Sequence, residues 1–63
     1  MQQVDQQLYT PKEVADYLKV DVHTVYRWLR EGELSAIRFK REYRVSEGDL
    51  REFLERHRTR TED

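Results

Sequence analysis

The apolar positions of this chain fall into three short stripes of helical period, with an alternating stretch between the second and the third. Val14, Tyr17 and Leu18 form the first stripe, Val22, Val25 and Leu29 the second, and Leu50, Phe53, Leu54 and His57 the third. Residues three and four apart share one face of a helix, so each stripe predicts a helix with one side on a core. Each stripe also sits behind a start signal. Thr10-Pro11-Lys12-Glu13 supplies a capping threonine, a proline at the first helical position and a glutamate able to reach back to the threonine amide. The first helix is therefore predicted from Pro11 to Leu18 or Lys19. Asp21 caps the second helix, and Ser46 with Asp49 caps the third. An apolar residue before each cap is matched by one inside the helix, as Tyr9 with Val14, Val20 with Val25, and Val45 with Leu50. That is the spacing of a hydrophobic staple, which fixes the angle at which the chain enters a helix.

Gly32 can take the left-handed conformation that ends the second helix. Beyond it, Leu34-Ser35-Ala36-Ile37-Arg38-Phe39 and Tyr43-Arg44-Val45 read as two short strands around Lys40-Arg41-Glu42. Gly, Asn and Asp are missing from that turn, although a tight hairpin favours them where φ becomes positive, so a wider or more mobile loop is expected. The order is helix, helix, two-stranded hairpin, helix: mainly α with a small β-hairpin. The few residues between the first two helices force a sharp change of direction and make them a helix-turn-helix. Residues 1–7 are polar and glutamine-rich and are expected to form a flexible leader, residues 8–58 the domain, and residues 59–63 a flexible tail.

Composition narrows the classes. A 63-residue chain makes one small domain and has no room for a second. It has no cysteine, which excludes disulfides and thiolate metal sites and fits a reducing cytoplasm. No apolar run approaches the roughly 20 residues needed to span a bilayer, so a cytoplasmic protein is expected. The 12 Lys and Arg against 13 Asp and Glu give a net charge of −1, which by itself argues against a polyanionic partner. The distribution argues the other way. Arg38, Lys40, Arg41 and Arg44 lie close together with only Glu42 among them, and Arg27 and Arg30 lie just upstream. Asp5, Asp16, Glu47, Asp49, Glu52, Glu55, Glu62 and Asp63 lie outside this stretch.

The second helix carries two faces. Opposite its apolar stripe stand His23, Tyr26, Arg27 and Arg30, with Thr24 in the first turn. A helix that reads DNA needs side chains that reach base edges and others that hold phosphates, and these residue types meet both needs. His23 and Thr24 occupy the end nearest the bases in a helix-turn-helix. Tyr26 can donate to a phosphate, and either arginine can bind phosphate or fork onto guanine. In the hairpin, Arg38 and Arg44 belong to facing strands, with Lys40 and Arg41 at the tip, a basic finger suited to the backbone or the minor groove. A plain solvated face and a charge-protected edge hairpin are the competing readings. Trp28 lies beside the apolar stripe and is assigned to the core. His23 and His57 are far apart, no glycine-rich phosphate loop or paired metal-ligand spacing is present, and Ser46 and Asp49 are explained by capping. The residues call for no enzyme, no catalytic set, no metal and no cofactor.

Taken together, Leu8-Tyr9-Thr10-Pro11, Glu13-Val14-Ala15, Thr24-Val25-Tyr26-Arg27-Trp28, Gly32, Leu34, Ala36, Arg38, Tyr43-Arg44-Val45 and Asp49-Leu50 resemble an excisionase-type DNA-binding domain, a small relative of the MerR winged helix-turn-helix. The resemblance covers residue 8 to about residue 54. It implies a second helix in the major groove, with Thr24, Tyr26, Arg27 and Arg30 as contacts, and a wing on the adjacent backbone or minor groove, with Arg38 and Arg44. It also implies a nucleoid-associated factor of DNA recombination or transcription regulation. Double-stranded DNA, further copies of the chain on repeated sites, and a recombinase or transcription machinery would be its partners. Members often carry glycine in the wing where this chain has Lys40-Arg41-Glu42. A different class remains open: a winged-helix adaptor for proteins, favoured by the negative total charge and by the suitability of aromatic and arginine-rich surfaces for protein interfaces.

Overall fold

The computed structural model describes residues 7–59. The leader and tail expected at residues 1–7 and 59–63 fall, apart from Gln7 and Thr59, outside the described residues. The chain runs β1 (Leu8–Tyr9), α1 (Pro11–Leu18), α2 (Val22–Arg30), β2 (Ile37–Phe39), β3 (Glu42–Ser46) and α3 (Glu47–Arg56). The starts of all three helices follow their caps. Thr10 Oγ1 accepts from the Glu13 amide at 3.1 Å while Glu13 Oε1 accepts from the Thr10 amide at 2.9 Å, a complete capping box. Asp21 Oδ1 accepts from the His23 amide at 2.7 Å, and Ser46 Oγ from the Asp49 amide at 3.1 Å.

Three residues, Lys19, Val20 and Asp21, join α1 to α2. Lys19 takes φ 58° in the left-handed region, and the Val20 amide donates to the Ala15 carbonyl at 2.9 Å. This is the six-to-one closure of a Schellman motif, here without glycine. The second helix closes in the same way around Gly32, whose φ is 76°, with the Glu33 amide donating to the Trp28 carbonyl at 2.9 Å. Gly32 thus ends α2 as its position predicts.

The core is small. Val14, Ala15, Val25, Leu34, Val45, Leu50 and Phe53 are buried, with Tyr9, Leu18, Val20, Val22, Trp28, Leu29, Ala36 and Leu54 packed around them. All six staple residues belong to this cluster. Trp28 lies on the core side of α2, its ring 4.8 Å from that of Phe53, so α3 closes over the tryptophan. The His57 ring follows at 4.3 Å from Phe53, and its Nδ1 lies 3.0 Å from the Phe53 carbonyl at the end of α3. The Arg56 guanidinium reaches back to the Glu33 carbonyl and ties the end of α3 to the loop after α2.

Three expectations are corrected. Tyr17 is 67% exposed and is not part of the inward stripe of α1. Ala15 takes the buried place, which turns the centre of the stripe about 110° from Tyr17, and its small side chain lets α2 approach. Tyr17 instead lines a surface groove with Tyr9, Leu50 and Leu54. The sheet has three strands, not two, in the order β1-β3-β2 and antiparallel throughout. β1 pairs Leu8 with Ser46 and Tyr9 with Val45, and the Gln7 carbonyl accepts from the Glu47 amide at 3.0 Å. A two-residue strand is too short to show alternation in sequence. The hairpin loop is also tight: Phe39 pairs with Glu42, leaving only Lys40 and Arg41 in the turn, and Lys40 carries φ 63°. The backbone takes the positive φ that glycine would favour and accepts the cost on a lysine.

That cost makes a prediction. Lys40→Gly should stabilise the domain by about 0.5–1 kcal/mol, the relief of a left-handed side chain less the greater freedom of glycine in the unfolded chain. Thermal unfolding followed by circular dichroism should show a melting temperature about 4 °C higher; an unchanged or lower value contradicts the strain. Trp28→Ala should cost about 3 kcal/mol, most of what a domain this small has. An unaltered melting curve for that variant would remove Trp28 from the core.

Candidate nucleic-acid interface

The outer face of α2 follows from the burial of its inner one. Val25 is fully buried, with Val22, Trp28 and Leu29 half-buried about it, so the 100° step of a helix turns His23, Tyr26, Arg27 and Arg30 outward. All four are exposed, and Thr24 is half-buried in the first turn. Because Asp21 and its carbonyl already hold the His23 and Thr24 amides, the side chains of this turn are not needed to cap the helix. Arg27 and Arg30 stand in the last turn, where the carbonyl end of the helix favours cations.

Among the described residues, one aromatic contact joins the wing to α2. In the β2–β3 ribbon, Arg38 is directly opposite Tyr43 and Ile37 opposite Arg44. Side chains alternate across a strand, so Arg38 and Tyr43 share one face of the ribbon while Ile37, Phe39, Glu42 and Arg44 share the other. The Tyr43 ring lies edge-on to Tyr26, with centroids 6.3 Å apart, and the Arg38 guanidinium sits 5.3 Å from the Tyr43 centroid. The expected wing pair Arg38 and Arg44 therefore does sit on facing strands but points to opposite faces. Arg44 is further committed: it donates to Glu42 Oε1 at 2.7 Å and to the Tyr43 carbonyl at 2.9 Å. Lys40 and Arg41 are at the tip, with Lys40 Nζ 5.5 Å from the Phe39 ring centroid.

A cleft between the N-terminus of α1 and the tip-side half of β3 joins the two parts. Lys12, Tyr26, Arg41, Tyr43 and Arg44 all line it. Lys12 and Tyr43 were missing from the candidates read in sequence. The place of Tyr43 opposite Arg38 follows from the register set by the two-residue turn at Lys40 and Arg41, a turn that the local sequence does not favour. Lys12 had no local signal either, since it is placed by the fold of α1 against the wing.

Charge is divided by location. Lys12 pairs with Asp16, Arg51 with Glu47 and Arg58 with Glu55, at 3.2–3.4 Å and all exposed. Such pairs contribute about 0–1 kcal/mol each, so they neutralise more than they stabilise. Among the described residues, Arg27, Arg30, Arg38, Lys40 and Arg41 have no carboxylate within ion-pairing distance. Apart from Lys19 and Arg56, every described cation without a carboxylate partner is on α2 or the wing. The described residues contain no group of three or more His, Cys, Asp or Glu placed to hold a metal ion. No described helix is long and apolar enough to cross a membrane.

Comparison with known proteins agrees with this geometry. A family model described as a helix-turn-helix domain matches residues 8–58. Two relatives from two strains of Mycobacterium tuberculosis, each named as a candidate DNA-binding protein, are 43% identical over 54 residues, which is 86% of this chain and 69% of each relative. No solved structure matches the chain significantly.

Proposed function

The chain belongs to the helix-turn-helix domain family, and from that premise we propose that it binds double-stranded DNA sequence-specifically, with α2 in the major groove and the β2–β3 wing on the adjacent backbone or minor groove. The observation that carries this reading is the concentration of unpaired cations on α2 and the wing, two elements that touch through Tyr26 and Tyr43. In this arrangement His23 and Thr24 face base edges from the first turn of α2. Arg27 and Arg30 bind phosphate or guanine, and Tyr26 donates to a phosphate. Arg38, Lys40 and Arg41 supply the charge of the wing. Arg44, already held by Glu42, contributes less than its place in the sequence suggests. The names of the two relatives support DNA as the partner.

Within this reading the protein acts without chemistry of its own, as an excisionase-like directionality factor or a small transcription regulator. Both act by occupying a defined site and changing what a recombinase or the transcription machinery finds there. Mapping the bound sites in the source genome separates the two: sites beside an integrase gene indicate excision, and sites in a divergent promoter indicate regulation.

The test is a fluorescence titration on a duplex enriched by the protein from a randomised pool, repeated at stepwise salt. The logarithm of the affinity should fall linearly with that of the salt concentration, by about 0.9 per phosphate neutralised. Absence of salt-sensitive binding would falsify the DNA reading. Arg27→Ala and Arg30→Ala should each weaken binding about ten-fold with no change in melting temperature. Full affinity in both variants would remove α2 from the interface.

A further inference from the structure

The ribbon that carries the wing has little to hold it in place. β2 contributes only three residues, Ile37, Arg38 and Phe39, and all three are exposed. Past Val45, the last fully buried residue of β3 toward the tip, the ribbon leaves the core. A two-stranded hairpin on its own is only marginally stable in water, so the direction of this one needs a contact outside its own ladder. Among the described aromatic and ionic contacts, one joins the ribbon to α2: the edge-on packing of Tyr43 against Tyr26. The same Tyr43 ring carries the Arg38 guanidinium at 5.3 Å. Aromatic edges and faces carry opposite partial charge, which favours both the tilted ring pair and the cation over the ring.

We propose that Tyr43 is the positioning residue of the interface: its ring fixes the wing against α2 and holds Arg38 on the side that α2 presents, so that helix and wing meet DNA as one surface. The DNA half of this proposal rests on the binding reading above, whereas the mechanical half does not. Tyr43 acts through its neighbours Tyr26 and Arg38, so its aromatic face matters and its hydroxyl does not. That distinguishes it from a residue that contacts phosphate directly.

Two measurements on the full chain test it. In the free protein, amide relaxation by NMR should show residues 37–42 as ordered as α2 in the wild type and in Tyr43→Phe. In Tyr43→Ala their order parameters should fall below about 0.6 while those of α2 are kept. In titrations on a short mixed-sequence duplex, Tyr43→Ala should bind about ten-fold more weakly. Its salt slope should be lower by about 2, the loss of two to three wing phosphates, with Tyr43→Phe close to wild type. Arg41→Ala should weaken the wild type several-fold but add little to Tyr43→Ala. A hairpin that stays ordered in Tyr43→Ala overturns the proposal, and so does a Tyr43→Phe variant as weak as Tyr43→Ala. If Tyr43→Ala does not fold, Tyr43→Leu keeps the apolar bulk without the aromatic face, and the same outcomes apply to it. Should the wild type bind no DNA, the functional reading falls while the relaxation data still decide whether Tyr43 sets the wing.

Discussion

The three-residue connection of Lys19, Val20 and Asp21 determines what the rest of the molecule can present. A left-handed residue at Lys19 reverses the chain at the end of α1, and the Val20 amide closes back on Ala15. Val20 then packs into the core and Asp21 starts the next helix, so no residue of the connection is idle. Such a turn leaves α2 only one way to lie on α1, with Val25 inward against Val14 and Ala15. Because the inward side is fixed, the outward side is fixed with it, and His23, Arg27 and Arg30 project together. The cost is a lysine at φ 58°, a conformation that a side chain disfavours by about 1–2 kcal/mol. Two hydrogen-bonded closures and the burial of Val20 offset it.

Features set by local rules could be read from the sequence, and those set by contact between distant segments could not. The caps at Thr10, Asp21 and Ser46, the stop at Gly32 and the staples depend on residues within about one turn of each other, and each appears where the sequence places it. Trp28 was also legible, because its position beside the Val25 stripe left it on the core side. Tyr17 has the helical spacing of the Val14 and Leu18 stripe, but Ala15 holds the buried place, because a small residue can sit at the centre of a face where two helices approach closely. β1 is a strand only because Val45 and Ser46 accept it as a partner. The tight turn at Lys40 and Arg41 goes against local preference and is imposed by the pairing of Phe39 with Glu42. At the candidate site, the charged residues of α2 and the wing were legible as a set. Their division between two faces of the ribbon required the register.

The net charge of −1 is a poor guide to this surface, for a reason of length scale. At physiological ionic strength a charge is felt over about 8 Å, so a partner senses the local cluster and not the sum. Three of the six acids of α1 and α3 are matched by a nearby cation, Asp16 by Lys12, Glu47 by Arg51 and Glu55 by Arg58. α3 meets α2 on the Trp28 side, about 160° around the helix from Arg30. The acidic excess and the cationic face are therefore kept apart by the core between them. A mildly acidic protein can in this way carry a cationic face without a basic total.

The wing takes its direction from β3, which belongs to both halves of the structure. Its residues Val45 and Ser46 pair with β1, and Glu42, Tyr43 and Arg44 pair with β2. Tyr43 and Val45 lie on the same side of the strand, so the face that closes the core at Val45 continues outward to meet Tyr26 at Tyr43. A free two-stranded ribbon twists strongly and variably, and a core contact two residues away does not by itself fix where its tip lies. The next inward residue along the strand is the first place where that freedom can be removed. An aromatic residue there can reach α2 across the gap that opens as the ribbon leaves the core, whereas a short aliphatic one would stop short of it.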